Sequence, residues 1–237
     1  SAGVTGHHDK WKGEGKMTFS KQLREEAKDI LQATYQHPFI RGIAKGDLAA
    51  EQLIHYVKQD YEYLNSMIKA RGYALTKCTK REDMEMFFTG IDYVLHSEGT
   101  AHVNLCRVAG VDYEELQGYP LSPTAHHYVN HMISASASGT LGDIIAVTLP
   151  CPWMYLEIGR RLVREVKPDK THPFYDWITI YGKDSSEATD RSFNRLDEIA
   201  AQVGEEARMQ MRELFLTSCR MEYLFFDMAY RVEEWPV

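Results

Sequence analysis

Residues 53–70 read L-I-H-Y-V-K-Q-D-Y-E-Y-L-N-S-M-I-K-A, and this stretch decides the fold class. Its apolar side chains recur with a period near 3.6 residues rather than 2, which predicts an α-helix with one buried face. Proline is absent from residues 39–119 and from residues 174–235, so long helices are allowed in both regions. The sequence contains no Asn-Gly or Asp-Gly hairpin turn and no convincing alternating strand. It therefore predicts an all-α protein.

Capping residues, prolines and glycines divide the chain into about eight helices with short connections. Thr18 or Ser20 is expected to cap the first helix, Asp47 the second and Thr140 the fifth, and two prolines are expected to bend the fifth. The expected spans are about 18–36, 49–77, 81–109, 124–138, 141–166, 172–182, 185–203 and 205–233.

The first sixteen residues differ from the rest of the chain. They are small, polar and uneven in composition, and Met17 follows them. We interpret residues 1–16 as a flexible tail or a tag remnant and leave them out of the fold. No repeat, low-complexity tract or linker follows, so residues 17–237 are predicted to form a single helical domain.

Composition narrows the range of partners. The chain has 237 residues, 44% of them hydrophobic, and a net charge of −7, which argues against nucleic acid and membranes as partners. No apolar run is expected to approach the ~18 residues that a membrane span needs. Four cysteines, at positions 78, 106, 151 and 219, form no Cys-x-x-Cys pair. The simplest interpretation is a reduced, cytoplasmic enzyme.

Cys151 lies between Pro150 and Pro152, where an apolar run becomes a helix. A thiol near a helix N-terminus is a candidate nucleophile, because unpaired amide groups there favour the thiolate. The alternative is a small buried hydrophobic residue, the usual role of a free cysteine. Tyr155 lies one turn later on the same face, and a buried tyrosine hydroxyl needs a polar partner, which favours a functional site.

Two carboxylates fall on aromatic helix faces. Asp60 shares its face with Tyr63, and Glu222 is followed one turn later by Phe225 and Phe226. Burying an unpaired carboxylate is costly, so each belongs either to a structural ion pair or to a ligand site. An acid in the surroundings of Glu222 is expected to have a raised pKa, which suits a general acid or base.

Histidine spacing offers a weaker signal. Glu98 with His102, and His127 with His131, are i,i+4 pairs that resemble halves of a metal site. His-Glu-x-x-His is absent, and so is the paired Glu-x-x-His pattern of di-iron bundles. Local hydrogen bonds are the preferred interpretation. We expect no metal and no cofactor.

Five groups of residues together resemble the TenA family, also called thiaminase II. They are Tyr56-Val57-x-Gln59-Asp60-x-x-Tyr63-Leu64, Pro123-Thr124-Ala125-x-x-Tyr128, Leu149-Pro150-Cys151-Pro152-Trp153-x-Tyr155-x-Glu157-x-Gly159, Tyr181-Gly182 and Glu222-x-x-Phe225-x-x-Met228-Ala229-Tyr230. The similarity extends from about Met17 to Trp235, and the Pro-Cys-x-Trp element is specific for the cysteine-containing branch. One departure is Phe226, where relatives commonly have Trp.

The resemblance implies a haem-oxygenase-like helical bundle that binds no haem. It implies hydrolysis of 4-amino-5-aminomethyl-2-methylpyrimidine, and of thiamin, to 4-amino-5-hydroxymethyl-2-methylpyrimidine in thiamin salvage. Relatives are commonly tetramers, so a homo-oligomer is expected.

Site residues follow from the same resemblance. Cys151 is expected to add to the pyrimidine ring, Asp60 to bind its amino group and an adjacent ring nitrogen, and Glu222 to act as acid and base. Tyr63 is expected to stack on the ring. The tyrosines expected to complete the pocket are Tyr128, Tyr155 and Tyr181.

The chemistry is consistent with these residue types. Adding a thiolate breaks the aromaticity of the ring and lets the exocyclic group leave, which needs one nucleophile, one proton shuttle and one acid to hold the ring edge. Two alternatives stay open: a non-catalytic pyrimidine-binding or regulatory protein, and a metal-dependent oxidase on the same fold. A pure binder has no need for both Cys151 and Glu222, so their joint presence favours catalysis.

Overall fold

A computed structural model describes residues 17–237, and the expected tail of residues 1–16 lies outside this part. Every regular element in residues 17–237 is helical, and no strand occurs there. The elements are α1 Phe19–Glu26, α2 Lys28–Tyr35, α3 Pro38–Lys45, α4 Ala50–Lys77, α5 Arg81–Tyr93, a π-helix Val94–Glu98, α6 Gly99–Ala109, a 3₁₀-helix Tyr113–Leu116, α7 Pro123–Ser138, α8 Leu141–Thr148, α9 Pro150–Val166, α10 Tyr175–Tyr181, α11 Glu187–Gln202 and α12 Glu205–Arg231.

The all-α prediction is confirmed, but the structure divides the eight expected segments more finely. The first segment is interrupted at Ala27, the third by the π-helix, and the fifth at Leu149, next to the two prolines. Helix α3 and the 3₁₀-helix lie in segments where no helix was expected. Short helices of one or two turns have too few residues to display a hydrophobic period, so pattern alone does not find them.

Two of the expected caps are confirmed and one is wrong. Thr18 accepts a hydrogen bond from the amide of residue 21, and Thr140 forms a reciprocal capping box with Asp143. Asp47 does not cap α4. That helix starts after Ala49, and the Gln52 side chain accepts from the Ala49 amide.

The two longest helices organise the core. Helix α4 packs against α5, α6, α7 and α8, while α12 packs against α2, α7, α8 and α9, and α4 and α12 also meet each other. Their buried faces belong to one continuous apolar cluster. This crossing brings Asp60 on α4 and Glu222 on α12 into the same interior layer.

The run Leu141–Val166 corrects one expectation. It is long and apolar enough to span a membrane, although no run near that length was expected from the sequence. Within the structure, 83% of its most apolar window is buried by other helices. The run is therefore placed as a core segment, and its apolar character is explained by packing on all sides.

Helices α9 and α10 approach closely where two glycines meet. If Gly159 carried a Cβ atom, that atom would lie 2.5 Å from the Tyr181 carbonyl carbon. A Cβ atom added at Gly182 would lie 2.5 Å from the Gly159 oxygen. Real Cβ atoms never approach backbone so closely, and backbone cannot rotate away as a side chain can. This contact fixes the position of Tyr181 relative to α9.

We expect Gly159→Ala to lower the free energy of unfolding by about 1–3 kcal/mol, because the added methyl group overpacks a backbone contact. Denaturant unfolding measures this loss. Gly72→Ala is the matched control, because no atom lies within 4 Å of its Cβ position. There, alanine is expected to stabilise helix α4 by at most about 1 kcal/mol. Equal effects of the two changes contradict the close-packing argument.

Candidate active site

Seven predicted site residues come from five helices that converge at the centre of the bundle. Each of the seven is buried. They are Asp60 and Tyr63 on α4, Tyr128 on α7, Cys151 and Tyr155 on α9, Tyr181 on α10 and Glu222 on α12.

Three of the seven line a cavity of about 490 Å³, namely Cys151, Tyr155 and Tyr181. The walls of this cavity come from α4, α5, the π-helix, α8, α9, the end of α10, the segment between α10 and α11, and the start of α11. The other four, Asp60, Tyr63, Tyr128 and Glu222, lie deeper and are not part of its lining. The structure thus places the thiol between the cavity and a buried polar layer.

Cys151 occupies the second position of α9, but its thiol is not activated as expected from a helix N-terminus. Burial raises its pKa well above the usual value, and the nearby carboxyl groups of Glu222, Glu98 and Asp60 raise it further. Leu149, the only residue between α8 and α9, keeps helical dihedral angles, so the start of α9 is not an open helix end. The start of α9 therefore lacks the open helix end that favours a thiolate, and the raised pKa favours a neutral Cys151 thiol near pH 7.

Glu222 is the carboxyl group best suited to exchange a proton with that thiol. Its residue is only 2% exposed, and Tyr128 donates a hydrogen bond of 2.6 Å to its Oε1. Burial raises the pKa of Glu222 to about 8, even though the hydrogen bonds from Tyr128 and Cys151 lower it. A carboxyl group with this pKa gains and loses a proton readily near neutral pH.

Asp60 is held by a histidine that the sequence did not identify as part of the site. His102 Nε2 lies 2.6 Å from Asp60 Oδ2, and His102 Nδ1 lies 2.8 Å from the Tyr113 hydroxyl. His102 is fully buried, so the ring has no freedom to turn away. In the sequence, the i,i+4 spacing of Glu98 and His102 indicates only half of a metal site or a hydrogen bond, and it gives no sign that His102 contacts Asp60.

Aromatic rings fill the space around these polar groups. Tyr155 shares a short hydrogen bond with Tyr56, and its ring centroid lies 4.6 Å from that of Tyr181. The rings of Tyr63 and Tyr128 are 4.8 Å apart. Burial raises the pKa of each of these hydroxyls well above 10, so they remain proton donors.

Tyr63 and Phe226 also belong to this aromatic surrounding. The Tyr63 hydroxyl is buried beside the Cys151 thiol and the Tyr128 hydroxyl, but it forms no well-aligned hydrogen bond among residues 17–237. Phe226, the departure from the family pattern, packs between Tyr56 and Tyr155 at centroid distances of 6.1 and 5.6 Å. An aromatic wall is therefore kept at that position.

One histidine of each pair has an ordinary hydrogen bond. His131 Nε2 lies 3.1 Å from the Ser218 hydroxyl, and His102 is engaged by Asp60 and Tyr113. For these two histidines the contacts match the preferred interpretation of a hydrogen bond. Within residues 17–237, no group of three or more His, Cys, Asp or Glu side chains is arranged to hold a metal ion.

Known proteins resemble this chain along most of its length. A sequence model of the TENA/THI-4/PQQC family matches residues 24–232. An aminopyrimidine aminohydrolase of Bacillus subtilis (strain 168) is 34% identical over 227 residues, covering 92% of each chain. The structure of a TenA family transcription regulator from Silicibacter sp. TM1040 is similar, with 26% identity, a TM-score of 0.77 and coverage of 90% of this chain and 96% of that one.

A more distant structure supports the fold alone. It is a domain with a haem-oxygenase-like fold from Shewanella denitrificans OS217, with a TM-score of 0.70, 12% identity and coverage of 89% of this chain and 91% of that one. The expected haem-oxygenase-like fold is thereby confirmed. With its family match across residues 24–232 and its close relative at 34% identity, the chain belongs to the TenA family.

Proposed function

We propose that this protein hydrolyses 4-amino-5-aminomethyl-2-methylpyrimidine, and thiamin, to the hydroxymethylpyrimidine by covalent catalysis through Cys151. The observation that carries the proposal is a buried thiol beside a carboxyl group with a pKa of about 8. Relatives named aminopyrimidine aminohydrolase support this class of hydrolase. The proposed reaction belongs to thiamin salvage.

Asp60 is suited to hold the polar edge of the pyrimidine. A carboxylate accepts from the 4-amino group and pairs with a protonated ring nitrogen, which gives charge-assisted hydrogen bonds. His102 fixes Asp60 in orientation by donating to Oδ2, which leaves Oδ1 for a ligand. In this proposal the ring enters from the cavity past Cys151 and stacks on Tyr63.

The first half of the reaction forms a covalent adduct. The ionised fraction of Glu222 takes the proton of the Cys151 thiol as the sulfur adds to a ring carbon. Addition breaks aromaticity, and the released electron pair expels the exocyclic amine. The nitrogen, bound as an ammonium, leaves as ammonia and takes the proton from Glu222 as it departs, so that Glu222 is ionised again.

The second half restores the ring. Water adds to the exocyclic CH₂ group, and Glu222 accepts one of its protons. The sulfur then leaves as a thiolate and recovers the proton from Glu222, which regenerates the thiol and the carboxylate. The net reaction consumes one water, releases one ammonia and needs no cofactor.

A regulatory or purely ligand-binding protein is the alternative function. It needs Asp60 and the tyrosines but gains nothing from a thiol paired with a proton shuttle, so Cys151 and Glu222 favour the enzyme. Assembly as a homo-oligomer, a tetramer by family resemblance, and a cytoplasmic location belong to the same proposal.

Cys151→Ser is expected to abolish turnover nearly completely while ligand binding is largely kept, because a serine hydroxyl is a poor nucleophile near neutral pH. Product detection with both substrates measures turnover, and calorimetry with hydroxymethylpyrimidine measures binding. Cys106→Ser is the matched control, since Cys106 is buried but does not line the cavity. A Cys151→Ser rate within tenfold of wild type excludes covalent catalysis by this residue.

Asp60→Asn is expected to weaken hydroxymethylpyrimidine binding by about 10- to 100-fold, because the amide keeps the shape but loses the charge-assisted contact. Asp83→Asn controls for loss of a buried carboxylate, since Asp83 is paired with Arg195 at 2.8 Å outside this site. It is expected to change stability and leave affinity intact. Unchanged affinity in Asp60→Asn assigns Asp60 a structural role instead.

Glu222→Gln is expected to lower kcat by about 10²–10⁴-fold with little change in KM, because proton transfer occurs only along the reaction. The amide still accepts the Tyr128 hydrogen bond, so the pocket is kept. The loss is expected for both substrates, since each leaving group arrives as a cation and Glu222 activates the thiol and the water in both reactions. An undiminished kcat on either substrate contradicts this assignment.

The pH profile tests the same assignment. Since Glu222 starts the cycle ionised, kcat/KM is expected to rise with pH and level off above about 8, the pKa that burial gives this group. The rise is expected to disappear in Glu222→Gln. A wild-type profile that falls through this range contradicts the starting protonation state.

A further inference from the structure

Glu98 is the last residue of the π-helix Val94–Glu98 and lines the same cavity as Cys151. A π-turn inside a helical run is unusual and is often found at functional sites. The Glu98 Oε2 atom is buried and has no hydrogen-bond partner among residues 17–237. A buried carboxylate oxygen without a partner is costly, and such a group needs an explanation.

The charged neighbours of Glu98 are engaged elsewhere. Arg71 on α4 donates to the Gly90 carbonyl at 2.9 Å, and Lys183 lies 4.6 Å from the centre of the Tyr93 ring. His102 on α6 binds Asp60. No Lys, Arg or His nitrogen within the described residues forms an ion pair with Glu98. Its carboxyl group therefore faces the cavity with unused capacity to bind a cation.

The electrostatic surroundings agree with this geometry. The pKa of Glu98 is raised to about 7, first by burial and then by the Asp60 charge, while His102, Arg71 and Lys183 act in the opposite direction. Glu98 and Cys151 line the same cavity, and the Glu98 charge raises the pKa of the Cys151 thiol. A ligand bound to Cys151 therefore shares this cavity with the Glu98 carboxyl group.

Both leaving groups in the proposed reaction arrive with positive charge. An aminomethyl group is an ammonium near neutral pH, and thiamin carries a thiazolium ring. We propose that Glu98 is a specificity-determining residue that binds this positively charged leaving group. The inference rests on the proposed function and extends it, because it assigns the part of the substrate that Asp60 and Cys151 do not hold.

The test compares two ligands that share the pyrimidine ring. Aminomethylpyrimidine is cationic and hydroxymethylpyrimidine is neutral, and calorimetry in the Cys151→Ser background at about pH 7.5 keeps the amine charged and avoids turnover. Adding Glu98→Gln is expected to weaken the cationic ligand by about 10- to 100-fold and the neutral ligand by less than about twofold. Glu98→Asp is expected to cause a smaller loss, again confined to the cation.

Glu187→Gln is the matched control, since Glu187 lies at the exposed rim of the same cavity. It removes the same charge and is expected to alter neither affinity. Equal losses for both ligands in the Glu98 variants, or no loss for either, overturn the inference. Glu98→Asp covers the case in which Glu98→Gln does not fold.

Failure of the proposed function has a different outcome. If the Cys151→Ser protein with Glu98 intact binds neither pyrimidine, the proposed function is contradicted, and so is the assignment of Glu98. If that protein binds both ligands and the Glu98 variants keep its preference, only the leaving-group site is overturned.

Discussion

Desolvation of ionisable groups inside an aromatic core is the constraint on which the rest of this structure depends. Glu222 and Asp60 are 2% and 4% exposed, and Cys151 is buried with them. Removing these groups from water disfavours their charged forms and raises the pKa of the thiol and of Glu222. With a pKa of about 8, Glu222 holds and releases a proton near neutral pH, whereas the thiol stays protonated until a base takes its proton.

Holding such groups in place requires a rigid frame, and the helices supply one. Two helices of 27 and 28 residues cross at the centre, and the close contact of Gly159 with Gly182 holds α10 against α9. Polar groups of the site are then held by neighbours: Asp60 by His102, Glu222 by Tyr128 and Tyr155 by Tyr56. Two oxygens around the site, those of Tyr63 and Glu98, lack a well-formed hydrogen bond within the described residues and belong to the region that a substrate is proposed to occupy.

The sequence predicted the helical class and most long helices, because a period of 3.6 over many residues leaves few alternatives. It did not predict the breaks at Ala27 and at the π-helix, since these depend on packing between distant segments. For the site, residue types and motifs identified seven buried side chains, but not the surroundings that raise the pKa of Cys151. A thiol at a helix start has a lowered pKa only if the helix end is open and its neighbours are not acidic, and neither condition is visible from spacing. His102 was missed as the partner of Asp60 because the two lie 42 positions apart.

The arrangement of charge around the thiol limits what the cavity accepts. Three carboxyl groups, those of Asp60, Glu98 and Glu222, act on Cys151, and each raises its pKa. Arg71 and Lys183 line the same cavity, but neither forms an ion pair with Glu98 within the described residues. Under the proposed function, a cationic leaving group beside these carboxyl groups relieves their repulsion, and its departure restores it. The site is thus expected to discriminate between the charged substrate and the neutral product by the same charges that surround the thiol.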